Sequence, residues 1–144
     1  TCALPICWGV LVMVMAISIS TIPAFAVTEL ERATIENPRL ENAFGIPIID
    51  NVNVHQQIQI SSDITNNQMK SQTFVYLVQL KNEEGFVVSV GWISGQLTPD
   101  QKLNPSLSWT PVNSGEFTAE IFVWEGLQNQ RALTENTTLP VNVS

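Results

Sequence analysis

The sequence predicts an all-β protein, a single seven-stranded immunoglobulin-like β-sandwich preceded by an N-terminal hydrophobic signal segment. Three observations carry this. From Val52 onward apolar residues recur with the two-residue period of a strand, and no stretch beyond residue 26 has a helical period. Turn residues interrupt that pattern every ten residues or so, the spacing of a sandwich. Residues 1–28 carry no charge, and their apolar run ends on Ala24-Phe25-Ala26.

The opening segment reads as an export signal. Small residues at Ala24 and Ala26 are what a signal peptidase seats in its cleft, so cleavage is expected after Ala26. A retained anchor is the alternative. Pro5, Ser18, Ser20 and Pro23 limit the strongly apolar core to about a dozen residues, short of the roughly 20 a spanning helix needs. With no Met at position 1 and no Lys or Arg before the apolar run, the start of the sequence reads as clipped. Both cysteines, Cys2 and Cys7, lie here, so residues 27–144 must fold by burial without disulfides. The organisation expected is 1–26 as signal, 27–51 as a first strand with an irregular segment, and 52–144 as the main part of the sandwich.

Strands are expected at 33–42, 56–65, 72–81, 86–94, 103–110, 115–124 and 137–143. Pro38, Gly45 and Pro47 break the first region, which reads as a kinked strand with a loop. Thr28-Glu29-Leu30-Glu31 before it fits a helix capping box. In the second strand Ile58, Ile60 and Ile64 alternate with Gln59, Ser61, Asp63 and Thr65, giving one buried face. Asn66-Asn67 then offers residues that tolerate left-handed backbone. The third strand sets Phe74, Tyr76, Val78 and Leu80 on one face. Asn82-Glu83-Glu84-Gly85 makes a hairpin, with Gly85 free to take positive φ. The fourth sets Phe86, Val88, Val90 and Trp92 on its inward face. Turns at Thr98-Pro99-Asp100-Gln101 and Asn113-Ser114-Gly115 flank a strand with Leu107 and Trp109 inward. Phe117, Ala119, Ile121 and Val123 point inward on the sixth strand, and Leu139, Val141 and Val143 share a face on the last. Pro140 lacks an N–H, which places that last strand at a sheet edge.

Leu97-Thr98-Pro99-Asp100-Gln101, followed by Leu107, Trp109, Pro111, Gly115 and Phe117, resembles the second half of the cell-adhesion-related bacterial (CARDB) domain. The resemblance covers about a third of residues 27–144. It implies an extracellular β-sandwich module of the kind found in bacterial and archaeal surface and adhesion proteins. Two positions depart from the family pattern. Asp100 stands where Gly is usual, and Phe117 stands where Tyr is usual, so a corner hydrogen bond from that hydroxyl is missing.

Composition narrows the chemistry. All 6 Lys and Arg and all 13 Asp and Glu follow residue 26, giving a net charge of −7. An acidic chain with scattered Lys is a poor partner for phosphate backbones, so nucleic acid is not an expected ligand. The lone histidine, His55, has no Gly-x-Ser-x-Gly elbow to serve, and residues 27–144 lack the thiol that cysteine catalysis or blue copper requires. Glu83-Glu84 reads as a solvated turn, and no Asp-x-Asp-x-Asp-Gly calcium loop occurs. No catalytic, cofactor-binding or metal-ligating residue is therefore nominated. Asn136-Thr137-Thr138 and Asn142-Val143-Ser144 are sequons that make Asn136 and Asn142 candidate glycosylation sites in an exported protein.

The strand faces hold one further candidate. If Phe74, Tyr76, Val78 and Leu80 point inward, Val75 and Leu77 point out. By the same rule Phe122 and Trp124 point out, and in an immunoglobulin-like layout these strands are neighbours. Their meeting would make an apolar patch, with Ile93 at its rim. Such a patch marks either a contact surface or a face covered by residues 27–49. The function expected is a non-catalytic, secreted or cell-surface module for adhesion or extracellular protein assembly. A carbohydrate-binding module stacking Trp124 on a sugar ring is the alternative. Expected partners are a protein or a cell-surface polymer, with membrane contact only through an uncleaved 1–26.

Overall fold

The computed structural model describes residues 27–144, so residues 1–26, expected to be an export signal or an anchor, lie outside the described residues. Eight strands follow in chain order: β1 (Ala33–Glu41), β2 (Ile58–Asn66), β3 (Gln72–Asn82), β4 (Val87–Leu97), β5 (Lys102–Leu103), β6 (Ser106–Trp109), β7 (Gly115–Trp124) and β8 (Thr137–Val143). They form two antiparallel four-stranded sheets. In one, β2 is flanked by β1 and by the successive short strands β5 and β6. In the other the order is β4-β3-β7-β8. All seven expected strands are present. The fifth is divided in two at Asn104-Pro105, where Pro105 has no N–H to give a ladder and the Asn104 amide turns to Asp63 (2.5 Å).

The two-residue period builds the core. Ile58, Ile60 and Ile64 of β2 face Phe74, Tyr76, Val78 and Leu80 of β3 and Ala119, Ile121 and Val123 of β7, all buried in one cluster. Leu107 and Trp109 pair with Ile60 and Ile58 and pack against that cluster. Each such side chain contributes about 1.5–3 kcal/mol on burial. Tyr76 crosses the core: its hydroxyl lies 3.3 Å from both the Ile60 carbonyl and Ser62 Oγ on the opposite sheet. Burial pushes the Tyr76 phenol up to about 12, a rise that the Ser62 hydrogen bond partly opposes.

Local details bear out some expectations and correct others. β1 is kinked as expected, with its register on β2 shifting between Glu36 and Arg39 and Asn37 at φ 49°. Gly85 takes φ 84° in the β3–β4 hairpin. Pro140 lies on β8, an outer strand of its sheet, and residues 52–54 cover part of that edge through Val52 N–H to Asn142 O (2.9 Å) and Ser144 N–H to Val52 O (2.8 Å). Thr28–Glu31 closes a turn, not a helix, although Thr28 Oγ1 does donate to Glu31 (2.8 Å). Asn66-Asn67 does not use left-handed backbone. Asn66 instead buries its side chain, whose amide donates to the carbonyls of Lys70 (2.8 Å) and Thr98 (3.0 Å) and so ties two loops together.

The larger correction concerns β4. Its inward residues are Ser89, Gly91, Ile93 and Gly95, opposite Leu80, Val78, Tyr76 and Phe74. Val90 and Trp92 therefore point outward, and Ile93 packs on the core instead of rimming an outer patch. Space at one end of the strand fits this phase. A Cβ at Gly95 would meet the Phe74 ring at 3.1 Å, so that inward position takes no side chain without a shift of the ring.

Candidate functional site

The outer faces of the two sheets are built from different side chains. On the outer face of β1-β2-β5/β6, Arg39 donates to Glu41 (2.6 Å) and Asp63 (2.8 Å), Ser61 donates to Glu41 (2.8 Å), and Ser106 donates to Gln59 (2.8 Å). Asp63 also receives Asn37 (2.9 Å). The Asn37 and Arg39 hydrogen bonds hold the Asp63 carboxyl below the usual carboxylate range, and the same carboxylates raise Arg39. This face satisfies itself.

The outer face of β4-β3-β7-β8 is apolar across its upper half. Register places Trp92, Leu77 and Phe122 in one row, with Leu77 in the middle. The next row sets Ser94, Val75 and Trp124 side by side. Val75 and Leu77 are buried, at 2% and 8% exposure, although they point out of the sandwich. Trp92 and Phe122 flank Leu77, and Trp124 flanks Val75, whose other neighbour is Ser94. Phe122 and Trp124 are half-buried, with ring centroids 5.4 Å apart and planes inclined at 47°. Trp92 and Val90 stand clear at 52% and 47% exposure. Sequence reasoning missed these two. The signal was present in Ser89, Gly91 and Gly95, small residues at alternate positions that mark the crowded face of a strand.

Polar groups bound the patch. Below it Glu120 receives Gln79 (2.9 Å) and Lys81 (2.9 Å). Above it the β7–β8 loop turns through Glu125 N–H to Arg131 O (2.9 Å) and Gly126 N–H to Asn129 O (3.1 Å). Arg32 clamps that loop by pairing with Glu125 and donating to the Ala132 carbonyl (3.1 Å). A shallow cleft of about 500 Å³ lies between this loop and the strands, lined by Thr73, Val75, Ser94, Gly95, Leu127 and Gln128 among others. Residues 27–49 do not cover the face, because β1 belongs to the other sheet and only the stretch around Arg32 reaches the rim.

The remaining candidates lie elsewhere. His55 is exposed in a turn at φ 67° and makes no side-chain hydrogen bond among the described residues. Glu83 is exposed at the hairpin but accepts the Glu116 N–H (3.0 Å), so it secures the start of β7. Asn136 and Asn142 are both exposed, the first before β8 and the second on it. Among the described residues no three His, Cys, Asp or Glu side chains converge as metal ligands would.

No family model and no curated protein matches the sequence. Solved structures do match. The CARDB domain of the PF1109 protein from Pyrococcus furiosus, solved in complex with di-metal ions, superimposes at TM-score 0.54 and 18% identity, over 82% of this chain and 97% of that one. The C-terminal domain of wzt matches at TM-score 0.60 and 15% identity, over 78% of this chain and 74% of that one. A β-glucosidase from Listeria innocua matches at TM-score 0.55 and 12% identity, but over only 16% of its own length. At these identities the likeness is one of fold, and the fold is CARDB-like, as the corner residues 97–117 implied. The chain spans a small part of the glycosidases it resembles.

Proposed function

We propose that the chain is a non-catalytic, secreted or cell-surface module for adhesion or extracellular protein assembly, and that the upper outer face of β4-β3-β7-β8 is its contact surface. One observation carries this reading. Trp92, Phe122 and Trp124 gather on a sheet face that no described segment covers, while the opposite outer face is closed by its own ion pairs. Contiguous apolar surface with one exposed and two half-buried aromatics, on an otherwise satisfied sandwich, supports contact with a partner. Export through residues 1–26 would deliver the module outside the cell, and Asn136 and Asn142 would accept any N-linked glycans there.

Carbohydrate binding is the second reading. It is favoured by the cleft under the β7–β8 loop, where Thr73, Ser94, Gln128 and Asn129 supply polar groups beside the Phe74 ring, next to the row that carries Trp124. Attachment of cells displaying the protein to surface-coated protein, run beside a glycan array, separates the two. For Phe122→Ser and Trp124→Ser, attachment falls at least about tenfold, the size expected of interface anchors, when compared at a temperature where circular dichroism shows each variant folded. Unchanged attachment refutes the proposed surface. Specific glycan binding lost in Trp124→Ser moves the assignment to the carbohydrate reading.

A further inference from the structure

The two edges of the β4-β3-β7-β8 sheet are treated differently. On β8, Pro140 interrupts the donor row, and residues 52–54 pair with the chain at 142–144. β4 has neither device. It is 11 residues long, Val87–Leu97, with no proline and no charge. No described segment forms a ladder along its outer side. Its outward residues Val90 and Trp92 are half exposed, and so are Val87 and Val88 at its start. Soluble proteins blunt such edges with Lys, Pro, bulges or a covering loop, because unpaired N–H and C=O groups template another strand. The register shift at Lys81–Val87 touches only the first residues of β4.

We propose that β4 pairs antiparallel with β4 of a second copy, joining the two sheets edge to edge into one of eight strands. Three features of the edge select a second copy. The edge is neutral, so two chains of net charge −7 meet where neither brings a charge. A two-fold axis at Gly91 sets Val90 of each copy opposite Trp92 of the other, a favourable β-branched–aromatic cross-strand pair made twice. The same axis keeps side chains in phase, so Ser89 meets Ile93 on the inner side and the Trp92–Leu77–Phe122 row of each copy ends against Val90 of the other. This inference supplies a partner for the assembly reading and rests on the edge, not on adhesion.

The test is sedimentation velocity of the full chain from low to high micromolar concentration, with hydrogen exchange read on β4. Wild type shifts from monomer to dimer, and β4 amides become protected as concentration rises. Val90→Lys and Ser94→Lys, both outward and exposed on the edge, weaken dimerisation at least about tenfold without lowering the melting temperature by more than a few degrees. Ile49→Lys, exposed beside β8 at the opposite edge of the sheet, leaves it intact. A wild-type chain that stays monomeric at high micromolar concentration overturns the proposal, as it would if residues 1–26 or a different protein occupied the edge. So does a dimer that both edge lysines leave unchanged. Dimer loss with attachment kept, or attachment loss with the dimer kept, tells the failure of this inference from that of the adhesion reading.

Discussion

The outer faces of the two sheets solve the same problem in opposite ways. Both cover one hydrophobic core, and both strands at the centre, β2 and β3, alternate with period two. On β2 the outward positions are Gln59, Ser61, Asp63 and Thr65; Arg39 pairs with Asp63, Ser61 donates to Glu41, and Ser106 donates to Gln59. On β3 the outward positions begin Val75 and Leu77, and their neighbours are Trp124, Phe122 and Trp92. The first face is finished within the molecule. The second buries its middle under its own aromatics and leaves their outer surfaces exposed. Polar self-satisfaction on one side makes the apolar side informative, because a uniformly hydrophobic exterior would say only that the chain is poorly soluble.

Substitutions can break this contrast, and the largest effect is expected where an outward residue is buried. Leu77→Ala should cost about 2–4 kcal/mol in chemical denaturation, a core-sized loss at a position that alternation assigns to the exterior. A loss under about 0.5 kcal/mol would mean the aromatic row does not pack over Leu77.

Tyr76, which ties the two sheets together, ranks next. Tyr76→Phe should cost about 1 kcal/mol at neutral pH by removing the hydroxyl from Ser62 and Ile60. Its raised phenol adds a pH signature. The neutral form is favoured in the folded state, so its stabilisation is whole below pH 10.0 and is lost as pH rises toward about 12. Wild type should therefore lose more stability over that window than Tyr76→Phe, as followed by denaturant midpoints at each pH.

On the polar face the effect is smaller and runs toward acid. Arg39→Ala should cost about 1 kcal/mol, less at high salt, because its partners remain partly solvated. Asp63 is depressed when folded, so its contribution is present above the ordinary carboxylate range and fades as pH falls through its lowered value. Asp63→Asn should flatten that acid limb in pH-dependent melts. Trp92→Ser should also cost about 1 kcal/mol, because the covered half of that side chain lies beside Leu77. Its effect should be larger in contact than in folding.

Much of this was legible in the sequence. The alternation at Ile58-Ile60-Ile64 and at Phe74-Tyr76-Val78-Leu80 gave the core, and Pro140 gave an edge. The corner residues 97–117 gave the fold, and Asp100 shows why that family pattern prefers glycine: it sits at φ 56°, where a side chain is strained. The outward meeting of Val75 with Trp124 and Leu77 with Phe122 followed from strand phase and adjacency. What was not legible depended on neighbours. Val90 and Trp92 look like a buried face until the Phe74 ring claims the space at Gly95 and the register puts Gly91 and Ile93 inward. Residues 27–49 could have covered the aromatic face, and only pairing of β1 with β2 removes them to the other sheet.

Hydroxyl-radical footprinting of the protein, free and then attached to its surface or partner, tests the contact face most directly. Trp92 and Phe122 should lose reactivity several-fold on attachment, while Phe44 and Met69, at 88% and 87% exposure and outside the aromatic row, stay as reactive as before. Trp92 and Phe122 labelling equally in both states, with protection falling elsewhere, would contradict the account.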